Sequence, residues 1–239
     1  VAQVVQRSGT LQVSWADSGI KRPADLAGKV VGNWGWGNEY ELLAGMWNAG
    51  VLPDDVILVG QSFDMLALLN REIDAAQAMT YNEYAQLLEA RNPATGELYK
   101  ASDFSVINWN EWGTAMLQDA IWASGGRLAS DPAYRDITTR FVAGSLEGWA
   151  HCRDNADDCV NVVLDNGSAL GTSHQAWQMN EVNNLIWPSP GGVGLMDEDL
   201  WVQTITVASM FGDLQNIPDA QAYTTAHVED ALSILKLKG

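Results

Sequence analysis

KRPADLAGKVVG at residues 21–32, running on into NWGWGNEYELLAGMWNAG at 33–50, decides how the chain folds. Ile20 docks a turn, Pro23 starts a short helical turn, and Lys29–Gly32 reads as a short buried strand. Gly35 to Gly37 then form a tight loop. A helix is expected from Asn38 to Asn48, because Leu42, Leu43, Met46 and Trp47 recur at helical spacing. Gly50 stands where a left-handed residue closes a helix.

The same unit repeats downstream. Val56–Val59 reads as a strand, Met65–Asn70 as a helix, Ile73–Met79 as a strand and Tyr81–Ala90 as a helix. RNPATGELYKASD at 91–103 is a surface loop, and Phe104–Trp109 a further strand. Strands alternating with helices imply a parallel sheet with helices on its faces. Upstream, Val1–Trp15 alternates apolar residues around an Arg7-Ser8-Gly9 turn and reads as strand material. From Asp131 the pattern becomes helical. Two helices, broken at about Arg153–Ala156, precede HQAWQMNEVNNLIW at 174–187, DEDLWVQTITVASMFG at 197–212 and AHVEDALSILK at 226–236. The composition shifts near residue 110.

Composition narrows the function. The chain has 239 residues, 47% of them hydrophobic, which suffices for one large domain or two lobes. Its 13 Lys+Arg stand against 30 Asp+Glu, a formal net charge of -17. A nucleic-acid partner needs a basic face that this balance does not supply. Anionic membrane surfaces are disfavoured likewise, and charge steering favours neutral or cationic small solutes. No apolar run reaches the roughly 18 residues of a membrane span. The opening VAQVVQRSGTLQVSW lacks a Met, a basic start and an apolar leader; it reads like the middle of a domain, and an N-terminal truncation is expected.

Three junctions carry candidate chemistry. In NWGWGNEY (33–40) a strand ends, glycines let the backbone turn and a helix N-terminus offers free N–H groups. Trp34 and Trp36 could lie against a planar ring, while Asn38 and Glu39 meet its polar edge. The bland alternative has the tryptophans packing and Glu39 serving the helix dipole. Gly35 and Gly37 make G-x-G, but no third glycine follows at Tyr40, and no Lys-Ser/Thr marks a phosphate loop. In MTYNEY (79–84), Tyr81, Asn82 and Glu83 sit at a strand's carboxyl end, where open α/β sheets bind ligands; alternatively Asn82 is an N-cap. In NWNEWGTAMLQD (108–119), Trp109 and Glu111 are cleft candidates with Gly113 as a pivot, or Glu111 is paired to backbone; Gln118 and Asp119 read as structural.

His151, His174 and His227 share no metal-ligand spacing and read as surface or capping residues. Trp149, Trp177, Trp187 and Trp201 read as core. Cys152 and Cys159 allow a disulfide in an oxidising compartment, or are two buried thiols on neighbouring helices. No catalytic residue, metal ligand or cofactor site is assigned.

KRPADLAGKVVG, the Gly-rich loop and helix, DVILV, REIDAAQAMTYNEYAQLLE, EWGTAMLQD, FVAGSLEGWAHCRDN, WQMNEVNNLIWPS and AYTTAHVEDAL occur in the order seen in the type 2 periplasmic binding proteins. The chain is most similar to the branch that groups thiamine-pyrimidine-precursor binding and synthase proteins with riboflavin-binding receptors. That resemblance implies an α/β, two-lobed fold, each lobe a mixed sheet flanked by helices. Residues 1–17 would be crossover and remnant of lobe I, 18–110 lobe II, and 111–239 the C-terminal part of an incomplete lobe I. It further implies a monomeric receptor of an ABC importer, periplasmic or lipid-anchored, partnered by permease subunits. The ligand would be a small aromatic heterocycle held between lobes, a riboflavin-like flavin or a pyrimidine precursor of thiamine. NEYELLAG and TYNEYAQLLE lean toward the flavin. An enzyme like the pyrimidine synthases is the alternative, but those carry a dense cysteine motif and a pyridoxal-binding lysine that the candidate loops lack. A ligand-sensing domain is a third reading.

Overall fold

The computed structural model describes residues 1–236 apart from 168, 170, 213, 215 and 220. The chain divides into two compact units. The first comprises Val1–Ser8, Leu117–Ile205 and Asn216–Gly239; the second comprises Gly9–Met116 and Thr206–Gln215.

The chain enters through β1 (Ala2–Gln3) in the first unit and then builds the second: β2 (Thr10–Trp15), β3 (Val30–Asn33), α1 (Tyr40–Asn48), β4 (Ile57–Gly60), α2 (Leu66–Leu69), β5 (Ala75–Met79), α3 (Glu83–Glu89) and β6 (Phe104–Asn108). Its five strands lie in the order β4-β3-β5-β2-β6. Strand β3 runs parallel to β4 and β5. Strand β2 runs antiparallel to β5 and β6. The sheet is therefore mixed. The strand–helix alternation produces parallel pairing only within β3–β4–β5; β2 precedes those crossover units and enters the middle of the sheet from the other direction.

Both faces of this sheet are covered, as the pleat requires of a strand buried along its whole length. On one face Leu42 and Met46 of α1 pack with Val31, Ala75, Ile107 and Trp109. On the other, Leu68 of α2 and Leu87 of α3 pack with Val13, Ala76, Ala78 and Phe104. Adjacent Ala75 and Ala76 serve opposite cores, the period-two signature of a strand.

Helix α1 starts at Tyr40 because Asn38 and Glu39 spend their side chains on the loop, on Gly35 O and Gly37 N–H. It ends in a Schellman motif. Gly50 (φ 76°) donates to Trp47 O at 3.0 Å and Val51 to Met46 O at 2.9 Å. Val51 and Met46 join the same buried cluster.

The first unit continues with β7 (Ala120–Ile121), α4 (Gly125–Ser130), α5 (Pro132–Asp154), α6 (Ala156–Asp165), α7 (Thr172–Ile186), α8 (Glu198–Phe211) and α9 (Ala226–Leu235); Thr206 onward in α8 falls in the second unit. β1 and β7 pair antiparallel. Asp131 caps α5 by accepting from Tyr134 N–H at 3.1 Å, with Pro132 at the first helical position. The helical run breaks at Asn155 alone, and a Cys152–Cys159 disulfide joins the end of α5 to α6.

Two histidines depart from a surface role. His174 is buried on α7. His227 is buried where α9 meets α5, its Nδ1 2.8 Å from Thr139 Oγ1. His151 is exposed beside Asp158. Trp149, Trp177, Trp187 and Trp201 are half-buried, not core: an indole on a helix flank covers the core edge while its rim stays in water. Arg153 lies over the Trp187 ring at 4.6 Å. Among the described residues no helix is long and apolar enough to cross a membrane.

Candidate functional site

The chain leaves β3 for β4 on one side, then returns to place β5 on β3's other side. The carboxyl ends of β3 and β5 thus form a topological switch point, the place where open α/β sheets leave a crevice. The β3–β5 ladder is short, with one registered pair at Val31↔Ala75. Past it the strands part, and the side chain of Gln61 bridges to β5. Gln61 Nε2 donates to Gln77 O at 2.8 Å, and Gln77 N–H donates to Gln61 Oε1 at 2.7 Å.

Gln77 in turn holds the 33–39 loop from beneath. Its Oε1 accepts from Trp34 N–H at 3.1 Å and its Nε2 donates to Asn38 O. Across the β2–β5 ladder from Gln77 sits Gln12, whose Nε2 donates to Gly32 O at 3.0 Å while its Oε1 is buried and unpaired. Gly32 has no room for a side chain: a Cβ there would lie 2.6 Å from Gln61 Oε1.

On this base the loop is built rigidly. Gly35 N–H donates to Asn33 Oδ1 at 2.9 Å, Asn38 Nδ2 to Gly35 O at 2.9 Å, and Gly37 N–H to Glu39 Oε2 at 2.9 Å. Gly35, Trp36 and Gly37 are all left-handed, with φ of 70°, 58° and 100°. For a tryptophan that conformation costs energy. The turn therefore holds Trp36 outward, 98% exposed. Trp34 lies lower, stacked on Phe63 with ring centroids 5.7 Å apart and planes 18° apart, its Nε1 donating to Ser62 O at 3.2 Å.

The second junction is placed at the same edge. Tyr81 and Asn82 are half-buried after β5. Glu83 is turned inward, 3% exposed; its Oε2 accepts from Met79 N–H at 3.0 Å and its Oε1 from Asn82 Nδ2 at 2.7 Å. Asn82 is the N-cap residue of α3 by position, without a side-chain capping bond. The third junction separates its two candidates. Trp109 is a core residue, fully buried, with its ring so close to α1 that a Cβ on Gly45 would come within 2.3 Å of Cζ3. Glu111 is exposed after β6, its N–H bonded to Asn108 O. Gly113 has φ 70°.

The structure thus gathers Trp34, Trp36, Asn38, Glu39, Tyr81, Asn82, Glu83 and Glu111 at the carboxyl edge of one sheet and puts Trp109 beneath it. Sequence reasoning missed Gln61, Phe63 and Gln77. Phe63 was recoverable, because it is an aromatic residue in the strand-to-helix loop after β4, as Trp34 is in the loop after β3. The glutamines were not, since a glutamine in a strand (Gln77) or just past one (Gln61) is indistinguishable from a solvent-facing one until its neighbours are known. A separate cavity of about 530 Å³ lies within the first unit, with Ile121, Trp122, Trp201 and Tyr223 among its walls. Among the described residues no group of three or more His, Cys, Asp or Glu is placed to hold a metal ion.

Residues 1–158 match the family described as NMT1/THI5 like. The chain belongs to the NMT1/THI5-like family. Among solved structures, this NMT1/THI5-like chain is similar to the periplasmic sulfonate-binding protein SsuA of a Methylobacillus flagellatus ABC transporter, with TM-score 0.65 and 17% identity over 100% of this chain and 70% of that one. The aliphatic sulphonate binding protein SsuA of Escherichia coli gives TM-score 0.60 and 15% identity over 87% of this chain and 63% of that one. The desulfurization enzyme DSZB, as a single-site mutant in complex with biphenyl-2-sulfinic acid, gives TM-score 0.56 and 16% identity over 98% of this chain and 78% of that one. A search of the curated proteins returned no match. At these identities the likeness establishes the fold, that of the two-lobed periplasmic binding proteins, and a transport protein and an enzyme share it.

Proposed function

We propose that this NMT1/THI5-like chain is the solute-binding component of an ABC importer, working outside the cytoplasmic membrane with permease subunits. Its ligand is a small aromatic heterocycle, riboflavin-like or a pyrimidine precursor of thiamine, bound at the carboxyl edge of the five-stranded sheet. The observation that carries this reading is the 33–39 loop, which spends backbone strain and three side-chain hydrogen bonds to hold Trp36 out in water while Trp34 of the same loop stacks on Phe63. An exposed indole on a pre-set turn loses little entropy when a planar ring stacks on it. The transport role is supported by the SsuA proteins that share the fold, and the extracytoplasmic placement by the Cys152–Cys159 bond, which suits an oxidising compartment.

Thermal unfolding with riboflavin and with 4-amino-5-hydroxymethyl-2-methylpyrimidine tests this. A ligand at a hundred times its Kd adds about 2.7 kcal/mol of stability. Trp36→Ala is expected to keep the unliganded midpoint and lose at least half of the ligand-induced shift. No shift with either compound overturns the ligand class. Chemical turnover of either compound by the protein moves the assignment to the enzyme reading.

A further inference from the structure

The cavity of about 530 Å³ in the first unit has the size of a small-molecule pocket and takes no residue from the five-stranded sheet. Its walls come from the β1–β7 pair, α4, the start of α8 and the segment leading into α9. Three of the wall residues carry aromatic rings. Trp201 and Tyr223, both half-buried, meet edge to face, with centroids 5.2 Å apart and planes 65° apart, so their faces turn in different directions. Trp122, directly after β7, borders the cavity and is still 81% exposed. The charge on the walls has one sign among side chains. Asp119, the residue before β7, is the only charged side chain there among the described residues, and no Lys, Arg or His joins it. Asp119 is exposed and makes no ion pair among the described residues. Wall donors are drawn into the fold. The Gln3 amide donates to Val5 O and Gln118 O, the Gln118 amide to Ser8 Oγ, and Thr225 Oγ1 to Glu229. The Val1 amino group donates to Ile121 O at 2.8 Å, and burial holds its pKa below the ordinary range.

We propose that this cavity is a second ligand site, for a small organic cation with a methylated, quaternary ammonium head. The head rests against Trp122, Trp201 and Tyr223, and Asp119 supplies the opposite charge. A methylated ammonium has no N–H to satisfy, so ring faces serve it better than hydrogen-bond acceptors, and tryptophan is the strongest of the aromatic partners. Ile121, Leu128 and Met196 line the remaining space and take the apolar part of the ligand. With 30 Asp+Glu against 13 Lys+Arg, the field of the whole chain draws cations toward the protein. The site does not depend on the ring-binding reading of the sheet edge.

The experiment is a calorimetric titration of the full chain at about pH 8.5, where an α-amino group is largely neutral. Three solutes of similar shape are compared: choline, the alcohol 3,3-dimethylbutan-1-ol, in which carbon replaces the charged nitrogen, and the anion 3,3-dimethylbutanoate. Choline is expected to bind at least about tenfold more tightly than the alcohol, and the anion not to bind. Trp122→Ala is expected to weaken choline at least about fivefold, and Trp122→Phe to recover part of the loss. Asp119 has φ 50°, a conformation that Asn accepts. Asp119→Asn is therefore expected to weaken choline and leave the alcohol unchanged. Circular dichroism confirms that each variant is folded, and Trp36→Ala is expected to leave choline binding as it was. Equal affinity for choline and the alcohol reduces the cavity to an apolar hole and overturns the proposal. So do refusal of choline, saturable binding of the anion, unchanged choline affinity in Trp122→Ala, or a loss in Trp36→Ala. None of these outcomes bears on the riboflavin and pyrimidine test of the sheet edge.

Discussion

Gln61 and Gln77 are joined as two strand residues would be, except that one partner is a side-chain amide: Nε2 of Gln61 gives to the Gln77 carbonyl at 2.8 Å and its Oε1 takes the Gln77 N–H at 2.7 Å. A main-chain ladder needs parallel backbones, and β3 and β5 have parted by this point. The amide fills the gap and keeps the buried N–H and C=O of Gln77 satisfied. It also fixes Gln77, whose own amide supports the loop that carries Trp36.

Gln61→Leu keeps the volume and removes both bonds. The Gln77 N–H and C=O are then left buried without partners, each at a cost of about 1–3 kcal/mol. Urea unfolding is expected to show a loss of at least about 2 kcal/mol, and the Trp34 emission should shift as the loop loosens. A loss no larger than that of an exposed substitution would show that water replaces the amide freely.

Gly45 and Trp109 form a close packing pair on the other face. Gly45→Ala places a methyl 2.3 Å from the indole edge, a distance no relaxed structure tolerates. Overpacking of this kind costs about 1–3 kcal/mol. Adding Trp109→Phe to Gly45→Ala should recover part of that cost, giving a double-mutant cycle that is clearly non-additive. Additive losses would mean that the helix moves away from the ring.

The Cys152–Cys159 bond closes a short loop across the break between α5 and α6. A loop of that size contributes about 2 kcal/mol through the unfolded chain. Dithiothreitol is expected to lower the unfolding midpoint of the wild type and to leave a Cys152→Ser, Cys159→Ser variant, already lowered, unchanged. Identical midpoints with and without reductant in the wild type would contradict this.

Burial holds the His227 imidazole below its usual range, aided by the positive Val1 terminus and Arg135 and opposed by Asp230. The folded state therefore resists the proton that the unfolded chain takes up at about pH 6.5. The sign follows: this group costs nothing above that pH, and stability falls as the pH drops below about 6.5 toward the depressed folded value. Between about pH 7.5 and about pH 5.5, His227→Gln is expected to lose less stability than the wild type. Gln can still meet Thr139, so the comparison isolates the charge. Equal slopes would place the titration elsewhere.

Much of the second unit was legible in its residues. The KVVG strand, the Gly-rich turn, the apolar stripe of α1 and the closing glycine at position 50 are local features, because strand and helix periods and left-handed glycines depend on a few neighbouring residues. The ordered succession of such units also carried the family. Relations between segments were decided only in three dimensions. Nothing local tells β2 to enter the sheet's middle against its neighbours, Trp109 to bury its ring while Trp36 is held in water, His174 and His227 to lie inside, or Gln61 and Phe63 to meet the partners they meet. Each depends on which backbone arrives beside which, and burial and hydrogen-bond pairing are properties of that arrival rather than of residue type. The chain's acidity was plain from its composition. That four of the acids, Glu39, Asp64, Glu83 and Glu111, lie along one edge became visible only once the sheet had set its strand ends side by side.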